Sequence, residues 1–295
     1  MIKIRTILLS VVAALLVGCG TSKTVPITGR KQNLMVSDGE MLSLATKQYS
    51  EYMKGAKPSS NATNTAMVKR VGQRLASAVQ TFMKNNGMAE DLQYYKWEFN
   101  LVQDNSVNAW CMPGGKIVVY EGLLPVTQDE PSLAIVLGHE IAHAVARHSA
   151  EQYSTQVRQQ YGVQGASILA SVLGASSGAI SLGQTAASYG LGLQNLHYSR
   201  QNESEADHLG LIFAAMAGYD PQVAVGFWQR MSAASGGKST SEFLSSHPSD
   251  ATRIKQIQGW MPEALKYYQS STGISLPTSN KNKKAMKPMK TIHIK

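Results

Sequence analysis

Leu137-Gly138-His139-Glu140-Ile141-Ala142-His143 is the stretch that decides the fold. Four residues at about 100° each bring the second histidine to within about 40° of the first, so both imidazoles leave one helix face. Two imidazoles so placed can hold a single Zn²⁺, and the Glu140 carboxylate between them can act on water as a general base. The flanks supply the helix. Leu133 to Leu137 lead in and Ile141 to Ala146 carry on, predicting a buried helix with Thr127 or Asp129 as N-cap and Pro131 in its first turn. Burying His, Glu and His on such a helix without a metal or partners is costly. His148 falls five residues past His143, off the ligand face, and is read as a surface or helix-end histidine.

The rest of the chain is consistent with one sizeable core: 295 residues, 43% of them hydrophobic. A net charge of +9 invites a nucleic-acid reading, but its distribution argues against one. Lys3 and Arg5 lie in the first nineteen residues, and six lysines (Lys281, Lys283, Lys284, Lys287, Lys290 and Lys295) in the last twenty-five. Setting both groups aside leaves +1 on everything between. The folded body is nearly neutral.

Lys3 and Arg5 followed by apolar Ile7–Val17 predict a targeting segment too short to span a bilayer comfortably. It ends Leu16-Val17-Gly18-Cys19, which looks like a bacterial lipobox, so residues 1–18 are expected as a lipoprotein signal peptide and Cys19 as the lipidated residue. Residues 19–37 then read as a lipid-anchored tether. The implied location is the cell envelope, facing the periplasm, with the outer membrane favoured. Cys111 is the one other cysteine and has no intramolecular partner if Cys19 carries lipid, so core and metal must hold the domain together.

Apolar periodicity predicts amphipathic helices over 37–53 and 64–82. Tyr95, Trp97, Phe99 and Leu101 alternate with polar residues as a half-buried strand does; 105–110 reads as a second extended stretch. Pro113-Gly114-Gly115 is turn chemistry before a third strand, Lys116–Tyr120. The fold class is therefore α+β, mostly α, with a small sheet beside the motif helix. An exposed edge of that sheet could accept an extended peptide as a further strand. Residues 159–199 carry no Asp, Glu, Lys or Arg and are rich in Gly, Ala and Ser; small-residue helices with a mobile connection near the site are preferred over a membrane-facing hairpin or disorder. The tail, 271–295, is read as disordered, leaving 38–270 as the catalytic domain.

A catalytic zinc site takes three protein ligands and keeps a fourth position open. Glu203 and Asp207 stand at i and i+4 some sixty residues downstream, so one can bind the metal while the other fixes a ligand imidazole.

Four stretches in order now carry a resemblance. They are Asn108-Ala109-Trp110 with Pro113-Gly114-Gly115 and Gly122-Leu123-Leu124; Leu137 to His143; Ser199-Arg200 with Glu203, Ala206 and Asp207; and Ser246-His247-Pro248 with Arg253-Ile254. The set resembles the zinc metallopeptidase family that contains the CAAX prenyl protease, HtpX, BepA and LoiP. The resemblance implies a zincin-like (gluzincin) endopeptidase with one Zn²⁺ per chain. His139, His143 and Glu203 would be its ligands, Glu140 the base, and Asp207 the carboxylate that orients a ligand. His247 could be a fourth, inhibitory ligand, a transition-state donor, or a structural residue before Pro248; His208 and the tyrosines are further candidate donors. Implied partners are protein or peptide substrates, including outer-membrane proteins, in protein quality control. The rival is a chaperone or assembly factor with little or no proteolysis, although such a protein has no need of Glu140.

Overall fold

A computed structural model describes residues 21–159, 193, 198–234, 243, 247 and 251–274. The expected signal segment with Cys19, nearly all of 159–199 and the tail beyond Ile274 lie outside these. Within them the chain is mostly helical with two small sheets.

The stretch read as a tether instead opens with an antiparallel hairpin, β1 (Thr21–Thr24) and β2 (Lys31–Leu34). Its alternation is short and mostly polar, which hid it from the sequence. Helices α1 (Asp38–Gly55) and α2 (Ala62–Asn85) follow, each starting on a side-chain cap, Ser37 and Asn61.

Strands β3 (Glu98–Val102), β4 (Ala109–Met112) and β5 (Lys116–Tyr120) form a sheet in the order β3-β5-β4. β3 pairs parallel and β4 antiparallel to β5. Tyr95 and Trp97, expected within the first strand, precede it. Period-two alternation divides the sheet. Phe99, Leu101, Ala109, Cys111, Ile117 and Val119 face the main core with α2, while Val102, Trp110, Met112, Val118 and Tyr120 pack with Met41, Ala45 and Tyr49 of α1. Gly114 and Gly115, at φ 89° and 79°, make the β4–β5 turn that L-residues rarely adopt.

The motif lies on α3 (Glu130–Val145), whose N-cap is Asp129 through its side chain to the Ser132 N–H, 2.8 Å. Every residue from Ser132 to Val145 is buried, as an all-round apolar helix must be. Arg147, at φ 57°, breaks the helix before α4 (148–159). Next come α5 (Arg200–Met216), α6 (Val223–Ala234) and α7 (Ala251–Thr272). α3 and α5 cross at Gly138 and Gly210. A Cβ on Gly138 would stand 2.7 Å from the Gly210 carbonyl oxygen, and one on Gly210 2.6 Å from the His139 nitrogen. That approach sets the distance between the motif histidines and the carboxylates of α5. Among the described residues no helix is long and apolar enough to cross a membrane.

Candidate metal centre

Helices α3 and α5 bring together the residues the sequence singled out. One donor atom from each of His139, His143, Glu203 and His247 lies within 4.8 Å of all the others, and all four side chains are buried. His139 Nε2 is 3.1 Å from His143 Nε2 and 3.2 Å from His247 Nδ1. Glu203 carboxylate oxygens lie 3.5 Å from His139 Nε2, 3.4 Å from His143 Nε2 and 2.9 Å from His247 Nδ1.

These spacings fit a divalent metal. Bonds of about 2.0–2.1 Å meeting at the tetrahedral angle put neighbouring donors about 3.3 Å apart. Three imidazole nitrogens and a carboxylate are a fitting donor set for a borderline ion such as zinc. The electrostatics agree. Burial disfavours charge on His139, yet Asp207 and Glu203 outweigh it and push its pKa up to about 9. Burial also raises the Glu203 carboxyl, but His247, His139 and His143 prevail and hold it well below the ordinary range. At His143 the balance is reversed: burial outweighs Glu203 and lowers its pKa well below the ordinary range, which favours a neutral imidazole there.

The far nitrogen of each motif histidine is held. His139 Nδ1 bonds Asp207 Oδ1 at 2.9 Å, and Arg253 bonds the same oxygen at 2.6 Å while stacking its guanidinium 3.5 Å above the Trp228 ring. His143 Nδ1 meets His148 Nδ1 at 2.9 Å, and His148 Nε2 reaches Glu205 Oε2 at 3.1 Å. His148 is thus fully buried at the site and not at the surface, because the turn at Arg147 ends the periodicity that had placed it off the ligand face. Tyr198 stacks on His143 at 4.0 Å between ring centroids, with its hydroxyl on Ser149. His208 bonds Glu263 at 2.7 Å and stacks on Trp260 of α7. Bound there, it is not a donor for this site.

Glu140 has a different environment. Its Oε1 is buried without a hydrogen-bond partner, 3.6 Å from His247 Nε2, and burial raises its pKa. An orphaned carboxylate oxygen beside the donor cluster suits a group that must take up a proton. Cys111 is buried with its thiol pKa raised well above normal, first by burial, which removes it as a nucleophile.

Glu205, Arg30 and the site position of His148 escaped the sequence reading; Tyr198 entered it only among the tyrosines as a candidate donor, and Arg253 only as a motif member. A buried HExxH helix followed by a further His five residues on, past an Arg that can break the helix, is the one signal that pointed to His148.

A helix-borne His-Glu-x-x-His pair closed by a carboxylate from a second helix defines a metallopeptidase-type centre. The chain belongs to peptidase family M48, whose pattern matches residues 63–261. It is similar to the mitochondrial metalloendopeptidase OMA1 of Schizosaccharomyces pombe, 38% identical over 81% of this chain and 66% of the relative. It is also similar to the mitochondrial metalloendopeptidase OMA1 of Homo sapiens, 28% identical over 91% and 51%. Similarity extends to the β-barrel assembly-enhancing protease of Escherichia coli, 25% identical over 85% and 51%. The chain spans about half the length of most of these curated relatives.

The comparisons correct one expectation. Placement in a bacterial envelope, as a periplasm-facing outer-membrane lipoprotein, does not stand, since relatives at 38% and 35% identity are mitochondrial proteins by name. A basic, acid-free start is not by itself specific to bacterial export, since organelle-import segments are also basic and poor in acids.

Proposed function

We propose that this chain is a zinc-dependent endopeptidase acting on proteins that have failed to fold or assemble. The observation that carries the reading is the Glu140 carboxylate, whose buried Oε1 has no hydrogen-bond partner, beside four buried, converging donors. His139, His143 and Glu203 would hold one zinc ion, with Asp207 and His148 fixing the two imidazoles. Zinc so held supplies Lewis acidity, acidifying water and polarising a peptide carbonyl. Glu140 takes the proton from the attacking water and returns it to the leaving amine nitrogen. β4 is an edge strand packed against α3, where an extended substrate would add as a further strand on displacing what buries it. The E. coli relative is named a β-barrel assembly-enhancing protease, a link between proteolysis and assembly with which this substrate class is in keeping.

His247 supplies a fourth donor where a catalytic site keeps an open position. We read the arrangement as resting, with His247 leaving the cluster when substrate enters. His247→Ala is expected to retain the metal and raise peptidase activity several-fold. Unchanged activity and unchanged metal spectroscopy would remove His247 from the site's function.

The test of the whole reading is digestion of an unfolded protein such as casein with and without a chelator. Cleavage lost on chelation and restored by zinc is expected. Chain binding without cleavage in either condition would favour the assembly-factor alternative.

A further inference from the structure

We propose that Arg30, in the loop of the N-terminal hairpin, is a positioning residue for the metal ligand His143, acting through Glu205 and His148. The inference depends on the zinc reading above and adds a function for a segment outside the helices that build the site.

The chain of contacts is continuous. Arg30 grips Glu205 with two parallel bonds, Nε to Oε1 and Nη2 to Oε2, both 2.8 Å. Thr28 of the same loop donates to Oε1 at 2.9 Å. Glu205 is nearly fully buried and takes its remaining bond from His148 Nε2. His148 in turn meets His143 nitrogen to nitrogen.

Proton placement follows from these contacts. Two ring nitrogens 2.9 Å apart bond only when one carries hydrogen and the other is bare. His143 points Nε2 at the donor cluster, where a ligand nitrogen must be bare, so its proton sits on Nδ1. His148 Nδ1 then accepts, and the His148 proton sits on Nε2, aimed at Glu205. A carboxylate gripped on both oxygens by a guanidinium acts as an acceptor, as Glu205 does toward Arg30 Nε and Nη2. The Arg30 grip on Glu205 therefore fixes the direction of both hydrogen bonds and with it the tautomer of the metal ligand.

A purely structural role is separable, because Arg30 also bonds Glu151 of α4. Glu151 ties down the same hairpin through Arg30 and Gln32 yet makes no hydrogen bond to His148 or His143. Glu205→Gln replaces an obligate acceptor by an amide that can donate; Arg30→Ala removes the charge. The experiment measures zinc affinity of the full chain by chelator competition, and the His143 tautomer by ¹⁵N NMR with and without zinc. Both variants are expected to bind zinc about 10- to 100-fold more weakly than wild type and, zinc-free, to lose the single Nδ1–H form of His143. Glu151→Gln is expected to match wild type in both readouts, whatever its melting temperature.

Wild-type affinity and tautomer in Glu205→Gln would overturn the proposal, as would an equal loss in Glu151→Gln. Should Arg30→Ala fail to fold, Glu205→Gln and His148→Phe carry the same comparison. If wild type takes up no zinc, the metal reading falls. The zinc-free tautomer then decides this chain by itself: a single His143 Nδ1–H form that Glu205→Gln scrambles sustains it, and no change refutes it.

Discussion

His139 and His143 leave one helix face four residues apart, yet their far nitrogens are held in different ways. His139 is held directly by a carboxylate, Asp207, which is backed by Arg253 on α7. His143 is held through a second imidazole, His148, before the carboxylate Glu205 and its backing Arg30 are reached. Both arms end in the same chemistry, an arginine neutralising an acid that orients a ligand. The lesson is that one arm is compact and internal to the helices, whereas the other extends to a hairpin at the chain's N-terminal side.

The largest disturbance is to the ligand both arms share. Glu203→Ala should abolish stoichiometric zinc binding and peptidase activity together, read by elemental analysis and casein digestion. Asp207→Ala breaks the short arm. It should weaken zinc about 10- to 100-fold, and it removes the 2.6 Å bond from Arg253, which keeps its contacts with Glu203 and Trp228, so urea unfolding should show a loss of about 1–3 kcal/mol. An equal affinity loss with no loss of stability would mean that Arg253 does not depend on Asp207.

Gly210→Ala acts on both arms at once by forcing α3 and α5 apart. It should cost about 1–3 kcal/mol of folding stability and weaken metal binding without touching a ligand. A variant as stable as wild type would contradict the close crossing.

The long arm also has a pH signature. Burial raises the Glu205 carboxyl, but His148, Arg30 and Thr28 prevail and lower it from 4.5 to about 2. A carboxyl depressed by folding contributes stability that is complete above pH 4.5 and is lost as pH falls toward 2. The acid limb of a urea-midpoint profile should therefore flatten in Glu205→Gln relative to wild type. Superimposable acid limbs would remove the ionised Glu205 from the arm.

The two arms also differ in how they read from sequence. The short one is legible because His139, Glu203 and Asp207 obey helical spacing and each lies in a continuous helix. The long one is not, for three physical reasons. Arg147 breaks α3, so counting on from His143 misplaces His148. Glu205 lies between the two site acids and faces the hairpin, where spacing alone gives it no partner. Arg30 is some 175 residues from its carboxylate, in loop sequence that carries no period. The same contrast runs through the fold. Long amphipathic helices and the turn at Pro113-Gly114-Gly115 announce themselves, while a polar four-residue strand pair does not.

Native mass spectrometry of zinc-replete wild type beside Glu140→Gln and Glu203→Ala, with peptide hydrolysis scored on the same samples, addresses the central claim directly. One zinc in wild type and in Glu140→Gln, none in Glu203→Ala, and cleavage by wild type alone is the expected pattern. A metal-free wild type, or full zinc in Glu203→Ala, would contradict it.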